Sequence, residues 1–354
     1  MGSMLRLVVV ELSRHTTLGL GGPARAVLEP DSAEAVAQAI ESTDGPQLIL
    51  GGGSNLVVAD EGFAGTVIKL GEKFSNVSVE RSNGGALVVA EAGAWFDDLV
   101  ARTVGDKLQG LEALSGIPGS VGATPMQNVG AYGREIAEVL QWVEAYDRVE
   151  ECSVQLSSKA CQFGYRTSRF RNSNRYVILR VALRLDASED SMPIRYAELA
   201  RALGVEEGKA APIRRVREAV LELRRSKGMV IDPADADTRS AGSFFTNPIV
   251  PIAVADEVEA RAQALGFAGP MPRFPAAEGH AKLAAAWLLE RAGFGKGYGE
   301  GAVGVSSKHA LALINRGGGT TAELLALART LRAGVLERFG VTLAPEPVLV
   351  GCEL

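Results

Sequence analysis

Gln47-Leu48-Ile49-Leu50-Gly51-Gly52-Gly53-Ser54-Asn55-Leu56 is the stretch from which the fold can be read. Four residues of buried-strand character run into three glycines and then into two side chains that donate hydrogen bonds. Successive glycines can turn their backbone N–H groups into an anion-binding concavity, and Ser54 and Asn55 add donors, a combination suited to a pyrophosphate. The competing reading is an ordinary loop between two strands. Upstream, an apolar strand around Val27 leads to Asp31-Ser32-Ala33-Glu34, which has the form of a capping box opening a helix, so residues 27–70 alternate strand and helix.

Two other glycine-rich segments compete for the phosphate role. Gly19-Leu20-Gly21-Gly22-Pro23-Ala24 matches G-x-G-x-x-A, but that fingerprint works only after a strand and at the start of a helix, and here Pro23 leads into a strand over residues 25–28. Gly295-Lys296-Gly297 lacks both the earlier glycine and the following Ser/Thr of a P-loop. Farther along, Ser115-Gly116-Ile117-Pro118-Gly119-Ser120-Val121-Gly122-Ala123 and Gln127-Asn128-Val129-Gly130-Ala131-Tyr132-Gly133 mix glycine with Ile, Val and Ala rather than with polar residues. That composition fits backbone lying close to a large flat ligand better than it fits a flexible linker.

After Leu70 the texture changes to short β runs, Ala86 to Ala90 and Tyr176 to Leu185, with helix from about Trp95 and a glycine-rich loop from Gly110 to Gly133. A helix opening at Pro212 carries Val216, Val220 and Leu223 on one face and ends near Lys227-Gly228. Beyond it the pattern predicts amphipathic helices over Ala281 to Ala292 and Thr320 to Phe339, the latter opened by the box Thr320-Thr321-Ala322-Glu323 and closed at Gly340. With a strand over Ala310 to Ile314 these make an α+β unit, and the tail Val348-Leu349-Val350 must pair with a sheet formed earlier in the chain.

A chain of 354 residues exceeds one ordinary core, which implies two or three domains. Its 47% hydrophobic and 22% charged residues are those of a globular protein, and a net charge of -5 argues against non-specific nucleic-acid binding. Cys152, Cys161 and Cys352 form no C-x-x-C pair, which fits reduced thiols, and scattered His15, His280 and His309 suggest no metal site. The apolar run Leu5 to Leu12 is too short for a signal-peptide core, and nowhere do about 18 apolar residues run uninterrupted. The expectation is a cytoplasmic protein with small-molecule partners and no membrane contact.

Ser240-Ala241-Gly242-Ser243-Phe244-Phe245-Thr246-Asn247-Pro248 sets one hydroxyl beside a glycine, two aromatics that exclude water and an Asn-Pro stop. A hydroxyl held on a stiff, partly dry bend can move a proton. The alternative is a surface turn with a buried aromatic pair.

Taken with His15-Thr16-Thr17-Leu18-Gly19-Leu20-Gly21-Gly22, Phe163-Gly164-Tyr165-Arg166-Thr167-Ser168, the helix at Leu283 to Gly293 and Pro345-Glu346, these segments resemble the UDP-N-acetylenolpyruvoylglucosamine reductase (MurB) family of peptidoglycan precursor synthesis over nearly the whole chain. The resemblance implies an α+β fold of three domains. Residues 1–70, completed by 341–354, and residues 71–226 would form a vanillyl-alcohol-oxidase/PCMH-like FAD-binding fold, and 227–340 a substrate-binding domain. It implies non-covalent FAD, NADPH as reductant, a UDP-sugar substrate and a monomer. FAD would lie on Gly51, Gly52, Gly53, Ser54, Asn55 and Leu56, on Ser115, Gly116, Ile117, Pro118, Gly119, Gly122 and Ala123, and on Asn128 and Gly130. Tyr196, in a segment like that of the family's type I branch, would bind substrate together with Lys227, Asn247 and Lys282. The stretch Gly228 to Arg239, with Asp232, Asp235 and Asp237, is longer than in enterobacterial members.

The implied reaction adds hydride to C3 of an enolpyruvyl ether and a proton to C2. Negative charge then spreads onto the carboxylate, and Arg166 suits that duty because its guanidinium fork matches a carboxylate and stays charged. The competing reading of Arg166 is a surface ion pair. Ser243 resembles the family's proton donor, but a serine is a weak acid and needs a cation or ordered water within reach, for which Lys227 is one candidate. Glu346 resembles the third catalytic residue. It would repel the substrate carboxylate unless it carries a proton, and without the resemblance it reads as a solvated turn carboxylate. Two other functions remain: an alcohol or lactone oxidase of the same fold, disfavoured because no histidine stands in the Gly51 or Ser115 loops to tether a flavin, and a non-catalytic nucleotide-sugar binder, disfavoured because Arg166, Ser243 and Glu346 are all present.

Overall fold

The computed structural model describes residues 10–354, so the first part of the apolar run that begins at Leu5 lies outside the described residues. The chain forms two compact units. Among the described residues the first comprises Val10, Arg25–Gly52 and Ala64–Val230, and the second Glu11–Ala24, Gly53–Phe63 and Ile231–Leu354.

In the first unit, helix α1 (Ala33–Glu41) buries Val36, Ala39 and Ile40 because they recur at helical spacing on one face. Its cap differs from the expected box: Ser32, not Asp31, is the N-cap, and the Ser32 hydroxyl accepts from Ala35 N at 3.1 Å. The helix therefore starts one residue later and Glu34 falls short of the third helical position a box requires. The strand Gln47–Leu50 pairs in parallel with Phe63–Lys69, Leu48 opposite Val67, and α1 packs with Ile68, Leu70, Phe74, Tyr146 and Val177.

A larger antiparallel sheet runs in the order Cys152–Ser157, Leu140–Asp147, Tyr176–Ala187, Gly85–Glu91, Val77–Ser82. Ala86, Val88 and Ala90 are buried while Leu87, Val89 and Glu91 are only partly so, the period-2 pattern of a strand covered on one face. That face meets helix α2 (Phe96–Gly105) through Phe96, Leu99, Val100 and Val104. Two further helices, α3 (Ala197–Leu203) and α4 (Ile213–Ser226), join through Leu199, Leu203, Val216 and Val220. Pro212 stands at the N-cap of α4 rather than at its first turn position, with Lys227 at the C-cap.

In the second unit, helices α5 (Ile252–Ala264), α6 (Ala285–Arg291) and α7 (Thr321–Phe339) enclose a core with Val258, Leu288, Leu324, Leu331, Val335 and Phe339, and Leu18, Leu20 and Val57 share it. Each large side chain so buried contributes about 1.5–3 kcal/mol. This shared core is why segments distant in sequence belong to one unit. Both halves of the α7 capping box form, and Gly340 ends the helix at φ 74°. The Asp60 carboxylate also accepts from Thr321 N at 2.7 Å and Ala322 N at 2.9 Å, joining an acid to the positive end of α7.

The expected helix over Ala281 to Ala292 is corrected. His280–Leu283 is a strand between Ile249–Pro251 and Arg273–Pro275, and α6 begins only at Ala285. Ala281 and Leu283 alternate inward, and pairing on both edges outweighs the helical propensity of the alanines. A second sheet orders Ser240–Ser243, Ala312–Asn315 and Val303–Val305, and Val348–Val350 pairs in parallel with Leu56–Val58. Among the described residues no helix is long and apolar enough to cross a membrane.

Candidate active site

Each glycine of the Gly51-Gly52-Gly53 loop sits where a side chain would collide. A Cβ on Gly51 would lie 2.2 Å from Ser120 Oγ, and one on Gly52 would lie 2.7 Å from Gly119 Cα and 2.8 Å from the Trp95 ring. The strand-to-loop turn at Leu50 and the Gly119-Ser120 turn thus meet backbone to backbone within the first unit. Beside them opens a cavity of about 820 Å³ lined by Gly51, Gly52, Trp95 and Ser120 together with Lys69, Lys73 and Arg102, a size suited to a cofactor. Lys69 and Lys73 both face Glu29, at 3.0 and 3.6 Å. Gly53, in the second unit, has φ 63° and a Cβ position 1.8 Å from the His15 carbonyl oxygen, and its own carbonyl accepts from Thr17 N at 3.1 Å.

The Ser115–Gly119 loop is braced from α2 and α4. Asp97 Oδ1 accepts from Gly116 N at 2.6 Å, and the Arg217 guanidinium grips both Asp97 oxygens at 2.6 and 3.0 Å. Ser115 is fully buried, its hydroxyl donating to Glu112 O at 2.7 Å. Gly122 fits because a Cβ there would come 2.5 Å from that of Ala92. Burial raises the Asp97 pKa, but the Arg217 and Gly116 hydrogen bonds outweigh it and hold the carboxyl below its usual range. A depressed folded pKa adds stability that is present above the unfolded value of about 4 and is lost as pH falls toward the folded one. Asp97→Asn is expected to lose about 2 kcal/mol at neutral pH and to show a smaller additional loss on acidification than the parent. Urea unfolding at neutral pH and near pH 3 checks this, and an unchanged neutral midpoint would remove Asp97 from the bracing role.

Asn128, Tyr132 and Arg166 all hold left-handed backbone, at φ 48°, 49° and 50°, uncommon for residues other than glycine and concentrated at functional sites. The Asn128 amide donates to Glu135 Oε2 at 2.6 Å and to Gly164 O at 3.1 Å and accepts from Ala137 N at 3.2 Å, so it shapes the loop. Arg166 Nη2 donates to Gly130 O at 2.8 Å, with the guanidinium 5.5 Å over the Tyr165 ring. Nearby, Tyr196 stands at the N-cap of α3, its ring edge-on to Tyr132 at 5.5 Å. Lys227 Nζ lies 2.5 Å from Glu198 Oε2 and 5.9 Å over the Tyr132 ring. Burial pushes the Tyr132 phenol up to about 12, keeping it a donor at neutral pH.

Ser243 ends the strand Ser240–Ser243 after Gly242 at φ 74°. Phe244 and Phe245 are each 1% exposed, so the aromatic pair is buried and Ser243 half-buried at its edge. Phe244 O accepts from Glu346 N at 2.8 Å and Thr246 N donates to Ala344 O at 3.1 Å, which brings the two expected catalytic residues Ser243 and Glu346 onto adjoining segments of the second unit. Asn247 Oδ1 accepts from Ala285 N at 2.9 Å and so caps α6; Lys282 lies on the strand His280–Leu283, 5.9 Å over the Phe274 ring.

Two features escaped the sequence reading. Ser243 Oγ lies 3.4 Å from His309 Nε2, although His309 stands 66 residues away and had no motif around it. Asp235 and Asp237, in the stretch with no evident role, reach the turn that carries His309: Asp237 accepts from Ser307 N at 2.8 Å and Ser307 Oγ at 2.5 Å, and Lys308 Nζ meets Asp235 at 2.5 Å.

Residues 24–152 match the FAD binding domain family, which makes the chain a flavin-binding α+β protein. Residues 232–350 match the C-terminal domain of UDP-N-acetylenolpyruvoylglucosamine reductase. The reductases of that name from Thermobifida fusca, Saccharopolyspora erythraea and Streptomyces avermitilis are 54%, 51% and 50% identical, over 98%, 97% and 97% of this chain and 98%, 95% and 94% of theirs. The crystal structure of the Thermus caldophilus enzyme superposes with a TM-score of 0.66 at 26% identity, covering 98% of this chain and 99% of that one. The chain belongs to the UDP-N-acetylenolpyruvoylglucosamine reductase family.

Proposed function

We propose that the protein reduces UDP-N-acetylglucosamine enolpyruvate to UDP-N-acetylmuramate with NADPH through non-covalently bound FAD, a step in peptidoglycan precursor synthesis. The near-full-length likeness to reductases of that name carries the proposal. When bound, FAD would supply the hydride-transfer chemistry between NADPH and C3 of the enolpyruvyl group. The Gly51–Leu56 and Ser115–Gly119 loops, with Gly122, Ala123, Asn128 and Gly130, hold the cofactor. The residues suit that role: glycines at 51, 52 and 53 let the loop close against Ser120, Gly119 and the His15 carbonyl, where a Cβ would collide, and the backbone N–H groups of such a loop suit a pyrophosphate.

Arg166 receives the substrate carboxylate, where charge develops as hydride arrives, and losing such a donor typically costs about 3–4 kcal/mol in the barrier. Ser243 delivers the proton to C2 on one face, and Glu346 stabilises the enol form of the carboxylate. Tyr196, Lys227, Asn247 and Lys282 orient the UDP-sugar, Asn247 also through its cap on α6. Residues 227–340 serve as the substrate-binding part, and 1–70 with 341–354 and 71–226 as the FAD-binding part. The protein acts as a cytoplasmic monomer on small molecules, without nucleic acid or membrane.

NADPH oxidation by the purified, FAD-supplemented protein, with and without UDP-N-acetylglucosamine enolpyruvate, tests the assignment. Oxidation that depends on the enolpyruvyl substrate is expected. A flavin-loaded protein that ignores it and is instead reduced by an alcohol would overturn the assignment in favour of an oxidase.

A further inference from the structure

A serine that gives up its proton must recover one before the next turnover, and its surroundings limit the source. Ser243 Oγ has one hydrogen to donate. If that hydrogen is to point at C2, then His309 Nε2, 3.4 Å away, must be the donor in the contact with Ser243 and the serine oxygen the acceptor. A contact of this length in the ligand-free enzyme is compatible with one that tightens on substrate binding. His309 is half-buried, so its ring retains access to solvent protons.

The turn carrying His309 is unusually well fixed. The buried Ser306 hydroxyl accepts from Lys308 N at 3.0 Å and His309 N at 3.2 Å, and His309 O accepts from Ala312 N at 3.1 Å. Asp237 grips Ser307 and Asp235 pairs with Lys308 from the preceding segment. The charged groups on the elements that meet this turn are Asp232, Asp235, Asp237 and Arg239 on the preceding segment, Lys296 on the segment whose Gly297 N–H donates to Ser306 O, Lys308 beside the histidine, Arg316 after the strand Ala312–Asn315, and Glu346, held by its N–H to Phe244 next to Ser243.

We propose that His309, as the imidazolium, resupplies the proton that Ser243 donates, with Asp235 and Asp237 as positioning residues for its turn. This rests on the reading of Ser243 as the donor to C2. As the Oγ–H bond breaks and C2–H forms, the electron pair left on Oγ takes the Nε2 proton. The neutral imidazole then regains a proton from solvent. The step moves protons only, since the two electrons of the reduction arrive with the hydride. A neutral imidazole could not serve, because losing a second ring proton would leave an imidazolate.

The test follows reoxidation of NADPH-reduced enzyme by the enolpyruvyl substrate in a stopped-flow instrument across the range of about pH 5–8 in which imidazoles titrate. The parent rate is expected to fall as pH rises through one ionisation. In His309→Gln that limb is expected to vanish and the neutral-pH rate to fall about 10²-fold, while flavin reduction by NADPH keeps its parent rate and so reports an intact fold. Histidine NMR titration gives an independent reading: the His309 resonance is expected to shift its midpoint in Ser243→Ala. A His309→Gln enzyme with the parent reoxidation rate and pH profile would overturn the proposal, as would a His309 titration indifferent to Ser243→Ala, which remains measurable should His309→Gln fail to fold. Should Ser243→Ala itself reoxidise at the parent rate, the donor assignment fails instead, and that result is distinct from either.

Discussion

Ser243→Ala is expected to yield a yellow, folded enzyme that NADPH still reduces but that the enolpyruvyl substrate reoxidises about 10²–10⁴-fold more slowly, the usual contribution of a positioned proton donor. The chemistry separates the two half-reactions, because only reoxidation by the enolpyruvyl substrate needs a proton at C2. Ser243 lies in the second unit, on the strand Ser240–Ser243, whereas the glycines that meet at Gly51, Gly52 and Gly119 belong to the first. The substitution removes one oxygen whose contact with His309 is 3.4 Å long, so the loss of stability should stay within about 1 kcal/mol. Phe244 and Phe245 keep their buried, edge-on packing at 5.1 Å between ring centres. Rapid mixing of oxidised enzyme with NADPH, and then of reduced enzyme with substrate, measures the two steps apart. Loss of both steps together would make Ser243 a structural residue and return this segment to a turn over an aromatic pair.

Gly53→Ala should be the most damaging single methyl in the cofactor loop. At φ 63° an alanine is already strained, and its Cβ would stand 1.8 Å from His15 O and 2.8 Å from His15 C, backbone atoms with no rotamer to relieve the clash. The same peptide carries the Thr17 N–H to Gly53 O hydrogen bond, and Thr17 Oγ1 in turn donates to Ser240 O at 2.6 Å at the start of the strand that ends at Ser243. A loss of about 3 kcal/mol or more is expected, together with weaker FAD retention. Thermal unfolding and FAD titration measure the two effects. The control is Gly84→Ala, a glycine of similar sign at φ 87° with nothing within 4 Å of the added methyl; its FAD affinity should equal the parent's. Equal behaviour of the two variants would mean that the Gly53 clash relaxes without consequence.

Local chemistry made much of this protein legible. The strand Gln47–Leu50, the helix Thr321–Phe339 with its capping box and αL glycine, and the rejection of a doubly wound reading because Pro23–Leu28 is a strand all rest on contacts within a few residues, which sequence spacing encodes directly. The same locality explains the failures. Ala281 to Ala292 reads as helix because alanine and leucine favour it, yet His280–Leu283 has a strand on each side, and neither partner is near in sequence. Asp31-Ser32-Ala33-Glu34 offers two caps, and sequence cannot choose between residues one position apart.

At the site the division is sharper. The sequence on its own picked out the glycine segments and Ser243 as candidates, and through the family resemblance also Arg166 and Glu346, because short segments carry the patterns that single them out. The tertiary structure alone decided what each of them touches. That Gly51 and Gly52 are glycine because the Gly119-Ser120 turn presses on them, that Asp97 and Arg217 brace Gly116, and that His309 stands beside Ser243 are consequences of chain segments about twenty to more than a hundred residues apart being packed at atomic contact. A one-dimensional pattern records which side chains are available over a turn or two of chain. Distances between remote segments are set by how whole cores close, and no local spacing encodes them.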